Sequence, residues 1–264
     1  KFYFNKNHLG QSMSIVQSSS LSPFYFNLHA EGSIDNPSSG HTTIIGGNGC
    51  GKTVTMCFCD AQLARYGGRS FFFDRDNGCE IYIRACNGNY LSFNPSNHSQ
   101  LRMNPFILDP TIENIIFVKS WMKQLIVNDN EQHLDKASEI IINEAVDYAF
   151  THLHSSERCL STVSLRIPPE FKYWDRLRRW LYSKDGSPDG EYAYIFDHCE
   201  DELLFLNPTG FDLTHFIDNE PGSVFTALLM YLFYRIEQCL NGDLVSIFLD
   251  EGWQYLNHTY WENK

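Results

Sequence analysis

Strand-length apolar runs and helix-period stretches alternate toward both ends of the chain, and a region of unbroken helical period separates them. Near the start, Phe24-Tyr25-Phe26-Asn27-Leu28 has strand composition, and the turn cluster Asp35-Asn36-Pro37-Ser38-Ser39-Gly40 leads into the β-branched run His41-Thr42-Thr43-Ile44-Ile45. That run stops at Gly46-Gly47. Residues 54–66 have helical length and end at Gly67-Gly68, and Ser70-Phe71-Phe72-Phe73 is a continuous apolar run of strand length closed by Asp74 and Asp76. Strand, helix and strand in this order predict a βαβ unit, and such units build parallel sheets covered on both faces. Residues 80–86 then read as a helix, Asn87-Gly88 as a turn, and Tyr90-Leu91-Ser92-Phe93 as extended chain before Pro95 and Pro105.

From 111 to about 182 the period is helical: Ile112, Ile115, Ile116 and later Ile140, Ile141, Glu144, Ala145 and Tyr148 recur at three and four, with almost no hairpin punctuation. The α/β texture returns with Tyr194-Ile195-Phe196 and 203–206 as short strands, 223–240 as a long apolar helix and 244–249 as a buried strand. No internal repeat is visible in the sequence. Residues 1–22 are polar and weakly periodic, the pattern of a linker or a peripheral strand. The expected organisation is an α/β core made of 23–110 and 190–264, with 111–189 inserted as a helical subdomain.

Composition narrows the picture. Of 264 residues, 43% are hydrophobic and 15% aromatic, enough for a sizeable core, so disordered and low-complexity classes are excluded. Lys and Arg number 20 against 32 Asp and Glu, and the formal net charge of −12 argues against a duplex-coating surface while leaving room for a local basic groove. The longest apolar stretch, 224–234, falls far short of the roughly 20 residues of a spanning helix and runs into Arg235 and Glu237, so no transmembrane segment is expected. Cys50, Cys57, Cys59, Cys79, Cys86, Cys159, Cys199 and Cys239 form no CxxC pair, which predicts reduced thiols in a cytosolic protein. Residue 1 is Lys, the expectation for a piece of a longer protein. Neither HExxH nor GxSxG occurs, so zinc and serine hydrolysis lack a motif.

The strongest chemical signal is Gly46-Gly47-Asn48-Gly49-Cys50-Gly51-Lys52-Thr53, which fits G-x-x-x-x-G-K-[ST] between an expected strand and an expected helix. Glycines let the backbone curl so that successive N–H groups face one phosphate. Lys52 brings a point charge to the outer phosphates of ATP, and the Thr53 hydroxyl is a Mg²⁺ ligand. The helix beginning here adds its positive dipole end. At the other end of the chain, Val245-Ser246-Ile247-Phe248-Leu249 runs into Asp250 and Glu251. In a phosphate-loop protein these are the Mg²⁺-holding acid and the residue that polarises the attacking water. Asp74 and Asp76 follow the strand after the loop helix, where parallel strands present their C-terminal ends to a ligand. A capped turn and a metal-shell role are both open for them. Trp174, Arg176, Arg178, Arg179 and Trp180 mix basic and aromatic residues, but on a helix they do not share a face, which favours a partly exposed helix with buried tryptophans over a nucleic-acid contact.

These residues also resemble a known family. Pro23-Phe24-Tyr25-Phe26-Asn27-Leu28-His29, Gly40-His41-Thr42, the glycine loop, Phe71-Phe72-Phe73-Asp74-Arg75-Asp76, Asn104-Pro105-Phe106, Gly210-Phe211-Asp212-Leu213-Thr214 and Leu249-Asp250-Glu251-Gly252-Trp253 come in the order of the C-terminal ATPase domain of the CagE/TrbE/VirB family of type IV secretion and conjugative transfer ATPases. The resemblance covers residue 20 to the end. It implies a RecA-like motor with an all-helical subdomain inserted between the two nucleotide motifs, and ATP and Mg²⁺ as cofactors. It further implies self-association into a hexamer-type ring or lower oligomer, and work on the cytoplasmic face of a bacterial inner membrane with a channel that exports protein or DNA. A DNA-pumping coupling ATPase and a non-hydrolysing nucleotide-binding subunit are the rival readings.

Two departures stand out. The family's usual loop reads Gly-Pro-Thr-Gly-Ser-Gly-Lys-Thr, whereas Gly47, Asn48 and Cys50 stand here, and Gly252 replaces the usual Ala. None of these is a side-chain ligand to phosphate or metal. The family's N-terminal domain and its segments beyond the acidic pair are not in this sequence. In RecA-like sheets the strand after the acidic pair lies between the strand leading into the loop and the strand bearing the acids. The expectation is therefore an unfilled place in the sheet and a piece that is poorly soluble and hydrolytically silent alone.

Overall fold

Three consecutive phenylalanines, Phe71-Phe72-Phe73, are buried only if both faces of their strand are covered, and that demand organises the molecule. A computed structural model describes residues 12–28, 40–93, 101–128, 134–183 and 188–252. In chain order it contains β1 (Ser14–Gln17), β2 (Pro23–Phe26), α1 (Lys52–Leu63), β3 (Arg69–Asp74), α2 (Glu80–Ala85) and β4 (Asn89–Ser92). A helical stretch follows, with α3 (Ile112–Gln124), α4 (Lys136–His152), α5 (Leu160–Ser164), α6 (Trp174–Arg178) and α7 (Ala193–Phe196). The described chain closes with β5 (Thr209–Asp212), α8 (Thr214–Asn219), α9 (Gly222–Glu237) and β6 (Val245–Leu249).

Four strands form one parallel sheet of order β4-β5-β3-β6, while β1 and β2 pair antiparallel as a separate ribbon. Alternation along β3 sends its rings to opposite sides. Phe71 and Phe73 enter the larger core, where Phe73 stacks on Phe233 of α9 at 4.7 Å and meets Phe211 of β5 at 5.1 Å. Phe72 enters a smaller core with Met56, Cys59 and Leu63 of α1 and stacks on Phe248 of β6 at 4.6 Å. The larger core runs on into the helical stretch through Val118 and Trp121 of α3, Val146 of α4 and Phe196 of α7.

Local chemistry sets the helix ends. Thr111 Oγ1 accepts from Asn114 N at 3.2 Å to start α3, and Asp135 Oδ1 accepts from Ser138 N at 3.0 Å to start α4. After α1, a 3-10 turn at Ala64–Tyr66 ends on Gly67, whose φ of 73° lies in the left-handed region. Trp180 is buried and its Nε1–H donates to the Leu125 carbonyl at 2.9 Å, while Trp174 on α6 is half-buried, so this segment packs its tryptophans inward. No helix among the described residues is long and apolar enough to cross a membrane.

Three expectations need correction. Residues 41–45 are extended but belong to no ladder, and Ile45 is 91% exposed. A β-branched run becomes a strand only when a neighbour supplies hydrogen-bond partners, and the described sheet ends at β6 without one on its far side. Tyr194-Ile195-Phe196 is not a strand but lies in α7, because a three-residue apolar run serves one buried helical turn equally well. Residues 203–206 also carry no strand: Leu203 is buried and Leu204 is 71% exposed, so the segment lies against the core on one side only. Conversely, β5 went unread because Gly210 interrupts its apolar character. The glycine is required, since a Cβ there would sit 2.4 Å from Ile83 Cδ1 and 2.6 Å from the Tyr90 ring. The turn cluster at 35–39, Pro95 and Trp253 lie outside the described residues.

Candidate functional site

The parity that divides the phenylalanines also places the acids. Even-numbered positions of β3 face α1: Ser70 hydrogen-bonds Asp60 of α1, Phe72 packs on α1, and Asp74 follows on the same side. In β6, Phe248 lies opposite Phe72 and Leu249 opposite Phe73, and the Asp250 N–H donates to the Phe73 carbonyl at 2.9 Å, so Asp250 comes beside Asp74. In β5, Asp212 is opposite Asp74. Three neighbouring parallel strands thus end in a row, Asp212, Asp74 and Asp250, at the edge where α/β sheets bind ligands. The repeated ending Phe73-Asp74, Phe211-Asp212, Leu249-Asp250 was present in the sequence as a signal. Sequence reasoning picked out Asp250, left Asp74 open and missed Asp212 altogether.

Facing this row is the glycine loop. Gly49 and Gly51 have φ of 74° and 89°, left-handed values that cost residues with a Cβ roughly 1–2 kcal/mol. Gly51 is the N-cap of α1 and no side chain caps the helix, so its first-turn N–H groups are left for something outside the helix. Lys52 is the first residue of α1, and its Nζ donates to the Gly47 carbonyl at 3.4 Å. Cys50 is exposed and its Sγ–H donates to the same carbonyl at 2.8 Å. Gly46, Gly47 and Asn48 form the exposed first half of the loop, and a Cβ on Gly46 would fall 2.4 Å from Cys50 Sγ.

Asp74 is fully buried. Its Oδ2 accepts from the Tyr90 hydroxyl at 2.7 Å and from Cys79 N at 2.8 Å, whereas its Oδ1 has no partner. A Cβ built on Gly78 would lie 3.5 Å from that oxygen, 3.0 Å from Thr53 Cγ2 and 3.7 Å from Thr53 Oγ1. The bare Cα of Gly78 therefore borders a space shared by Asp74 Oδ1 and the Thr53 hydroxyl. Burial pushes the Asp74 carboxyl above its usual range, and the bonds from Tyr90 and Cys79 pull against this. Burial also raises Asp250, with the Asp74 charge adding to the rise and the Lys52 charge opposing it. Glu251 follows with a φ of 51° and donates its N–H to Asp250 Oδ1 at 3.1 Å.

Thr53, Lys52, Asp250 and Asp74 thus converge on one place. Asp76 does not join them: it sits exposed in the turn at a φ of 61°, with its N–H bonded to Thr214 Oγ1 at 2.9 Å. Beside it, Arg75 pairs with Asp218 at 2.7 Å. No group of three His, Cys, Asp or Glu among the described residues is placed to hold a metal ion. The oxygen-only donors Thr53 and Asp250 and the orphaned oxygen of Asp74 suit a hard cation that completes its shell with water and phosphate oxygens, as Mg²⁺ does.

Comparison with known proteins gives a consistent result. No family model matches the chain. It is 32% identical over 270 residues to the type IV secretion system protein VirB4 of Brucella suis, covering 95% of this chain and 32% of that protein. It is 30% identical over 275 residues to the type IV secretion system protein PtlC of Bordetella pertussis, covering 97% of this chain and 33% of that protein. The chain thus spans about a third of the length of the curated relatives it matches. Among solved structures, VirB4 of Thermoanaerobacter pseudethanolicus superposes with a TM-score of 0.62 at 14% identity, covering 90% of this chain and 67% of that one, which assigns the α/β core to the same fold.

Proposed function

The chain belongs to the VirB4 family of type IV secretion proteins, and we propose that it is the nucleotide-binding core of an ATP-hydrolysing motor that energises such a system. The observation that carries this reading is the convergence of the Gly46–Thr53 loop, at the uncapped start of α1, on the row of strand-terminal acids. The loop N–H groups and Lys52 bind the phosphates of ATP. Thr53 and Asp250 hold Mg²⁺, which when bound neutralises charge on the outer phosphates. Glu251 orients the attacking water and accepts its proton as the γ-phosphoryl group moves to that water. Catalysis of this kind rests on positioning and charge, which suits a site whose parts sit on strand ends and one helix start.

In the complete protein this core works on the cytoplasmic face of the bacterial inner membrane. It self-associates, as a hexamer-type ring or a lower oligomer, and acts with channel components to move protein or DNA. The relatives matched are VirB4 and PtlC proteins, which favours this over a DNA-pumping coupling ATPase. Equilibrium titration of ATP with Lys52→Ala tests the phosphate site: loss of affinity with the fold intact is expected, and unchanged affinity removes the assignment. Glu251→Gln should bind ATP and lose turnover, and turnover within a few-fold of wild type shows that another group is the base. Binding without turnover in the wild-type complete protein selects the non-hydrolysing reading, and DNA-stimulated, salt-sensitive turnover selects the DNA pump.

A further inference from the structure

The row of strand-terminal acids contains one group that no step above employs. We infer that Asp74 is a positioning residue for the divalent cation: its free Oδ1 accepts a hydrogen bond from a cation-bound water and so orients the shell held by Thr53 and Asp250. The inference rests on the phosphate-site reading and deepens it.

Four observations carry it. Asp74 is fully buried, yet one of its two carboxylate oxygens has no partner, although buried polar atoms are normally paired. The other oxygen is held by Tyr90 and Cys79 N, so the carboxylate cannot rotate to satisfy both at once. The free oxygen borders the space next to the Thr53 hydroxyl, and that space exists because residue 78 lacks a side chain. Strand register then sets Asp74 beside Asp250 on the face that carries α1, at the spacing of adjacent strands, about 4.8 Å. A small, strongly hydrated cation keeps several waters when it binds phosphates and one carboxylate, and such waters need an acceptor of this kind. Asp212, the third acid in the row, is occupied: it accepts from Ser92 Oγ at 3.0 Å and from Thr214 N at 3.1 Å.

The test uses the complete protein, with ATP affinity measured by equilibrium titration in EDTA and across a series of Mg²⁺ concentrations. Asp74→Asn keeps an acceptor for Tyr90 and Cys79 N but loses the charge. The Mg²⁺ concentration that gives half of the gain in ATP affinity should rise roughly 10–100-fold, with ATP affinity in EDTA unchanged. Gly78→Ala retains Asp74 and fills the space beside its free oxygen, and it should shift the Mg²⁺ series in the same direction; it carries the test if Asp74→Asn does not fold. An unshifted Mg²⁺ series in both variants overturns the inference, as does an equal loss of affinity with and without Mg²⁺, which is the signature of a purely structural role. Lys52→Ala run alongside separates the two readings. If it leaves ATP affinity intact, the phosphate site itself is wrong; if it abolishes binding while Asp74→Asn leaves the Mg²⁺ series unmoved, Asp74 alone is misassigned.

Discussion

Phe72 and Phe73 are neighbours in sequence with the same side chain, yet their loss should be felt in opposite parts of the molecule. Phe72→Ala removes a ring that stacks on Phe248 at 4.6 Å, meets Tyr82 edge-on at 6.0 Å and packs against Met56, Cys59 and Leu63 of α1. Phe73→Ala removes one stacked on Phe233 of α9 at 4.7 Å and touching Phe211 at 5.1 Å. Both rings are buried, so each truncation should cost about 3–5 kcal/mol. At about 1.4 kcal/mol per factor of ten, that corresponds to roughly two to four orders of magnitude in local opening. Hydrogen exchange read by mass spectrometry separates the two. Phe72→Ala should speed exchange in peptides from α1 and lower ATP affinity with it, leaving α9 close to wild type. Phe73→Ala should speed exchange in α9 first. The same pattern from both variants would refute the two-core division and, with it, the claim that α1 is held to the sheet through Phe72.

Other outcomes are expected from separate features. Cys50 lies exposed in the phosphate loop, so it should be among the most readily alkylated cysteines, and ATP should protect it; equal labelling with and without nucleotide would mean the thiol points away from the ligand. Asp135, the N-cap of α4, also accepts from Tyr173 and Lys172, and the Ser138 N–H beside it holds its carboxyl down at about 2 against an ordinary 3.8. Its folded-state pKa is depressed, so its stabilisation is present above 3.8 and lost as pH falls toward 2. Asp135→Ala should therefore lower the melting temperature at neutral pH, and that gap should close across this acidic window. Gly210→Ala drives a methyl into Ile83 and the Tyr90 ring and should cost roughly 1–3 kcal/mol in a denaturant melt.

Legibility in the sequence followed the strength of the local signal. The helices α1, α3, α4 and α9 and the strands β3 and β6 were readable because their apolar patterns are long or are bounded by glycine, aspartate or a capping residue. The loop glycines were readable because left-handed backbone at Gly49 and Gly51 excludes nearly everything else. The errors fell where pairing decides. Residues 41–45 have strand composition and no neighbour, and β5 has poor strand composition and two neighbours. The site's third acid was hidden for the same reason: Asp212 acquires its place beside Asp74 only through the β3–β5 register, across more than a hundred residues of chain.

Nothing in Phe71-Phe72-Phe73 tells one ring from the next. A β3 strand slipped by one residue against its neighbours would still offer rings to both cores, although such a slip normally turns a strand inside out. The marks that are not interchangeable lie at the two ends: Ser70 bonded to Asp60 of α1, and Asp74 bonded to Tyr90 and Cys79 N. A shift in either direction brings Phe73 or Arg75 to the place of Asp74, where the Tyr90 hydroxyl and the Cys79 amide find no carboxylate. The strand behaves as a ruler with identical divisions, read only from its end stops. Errors in reading it would yield chains that are collapsed and apolar inside yet carry a misaligned nucleotide site. The groups at those stops therefore govern the fraction of chains that reach the working register, a quantity that a melting curve of the survivors does not record.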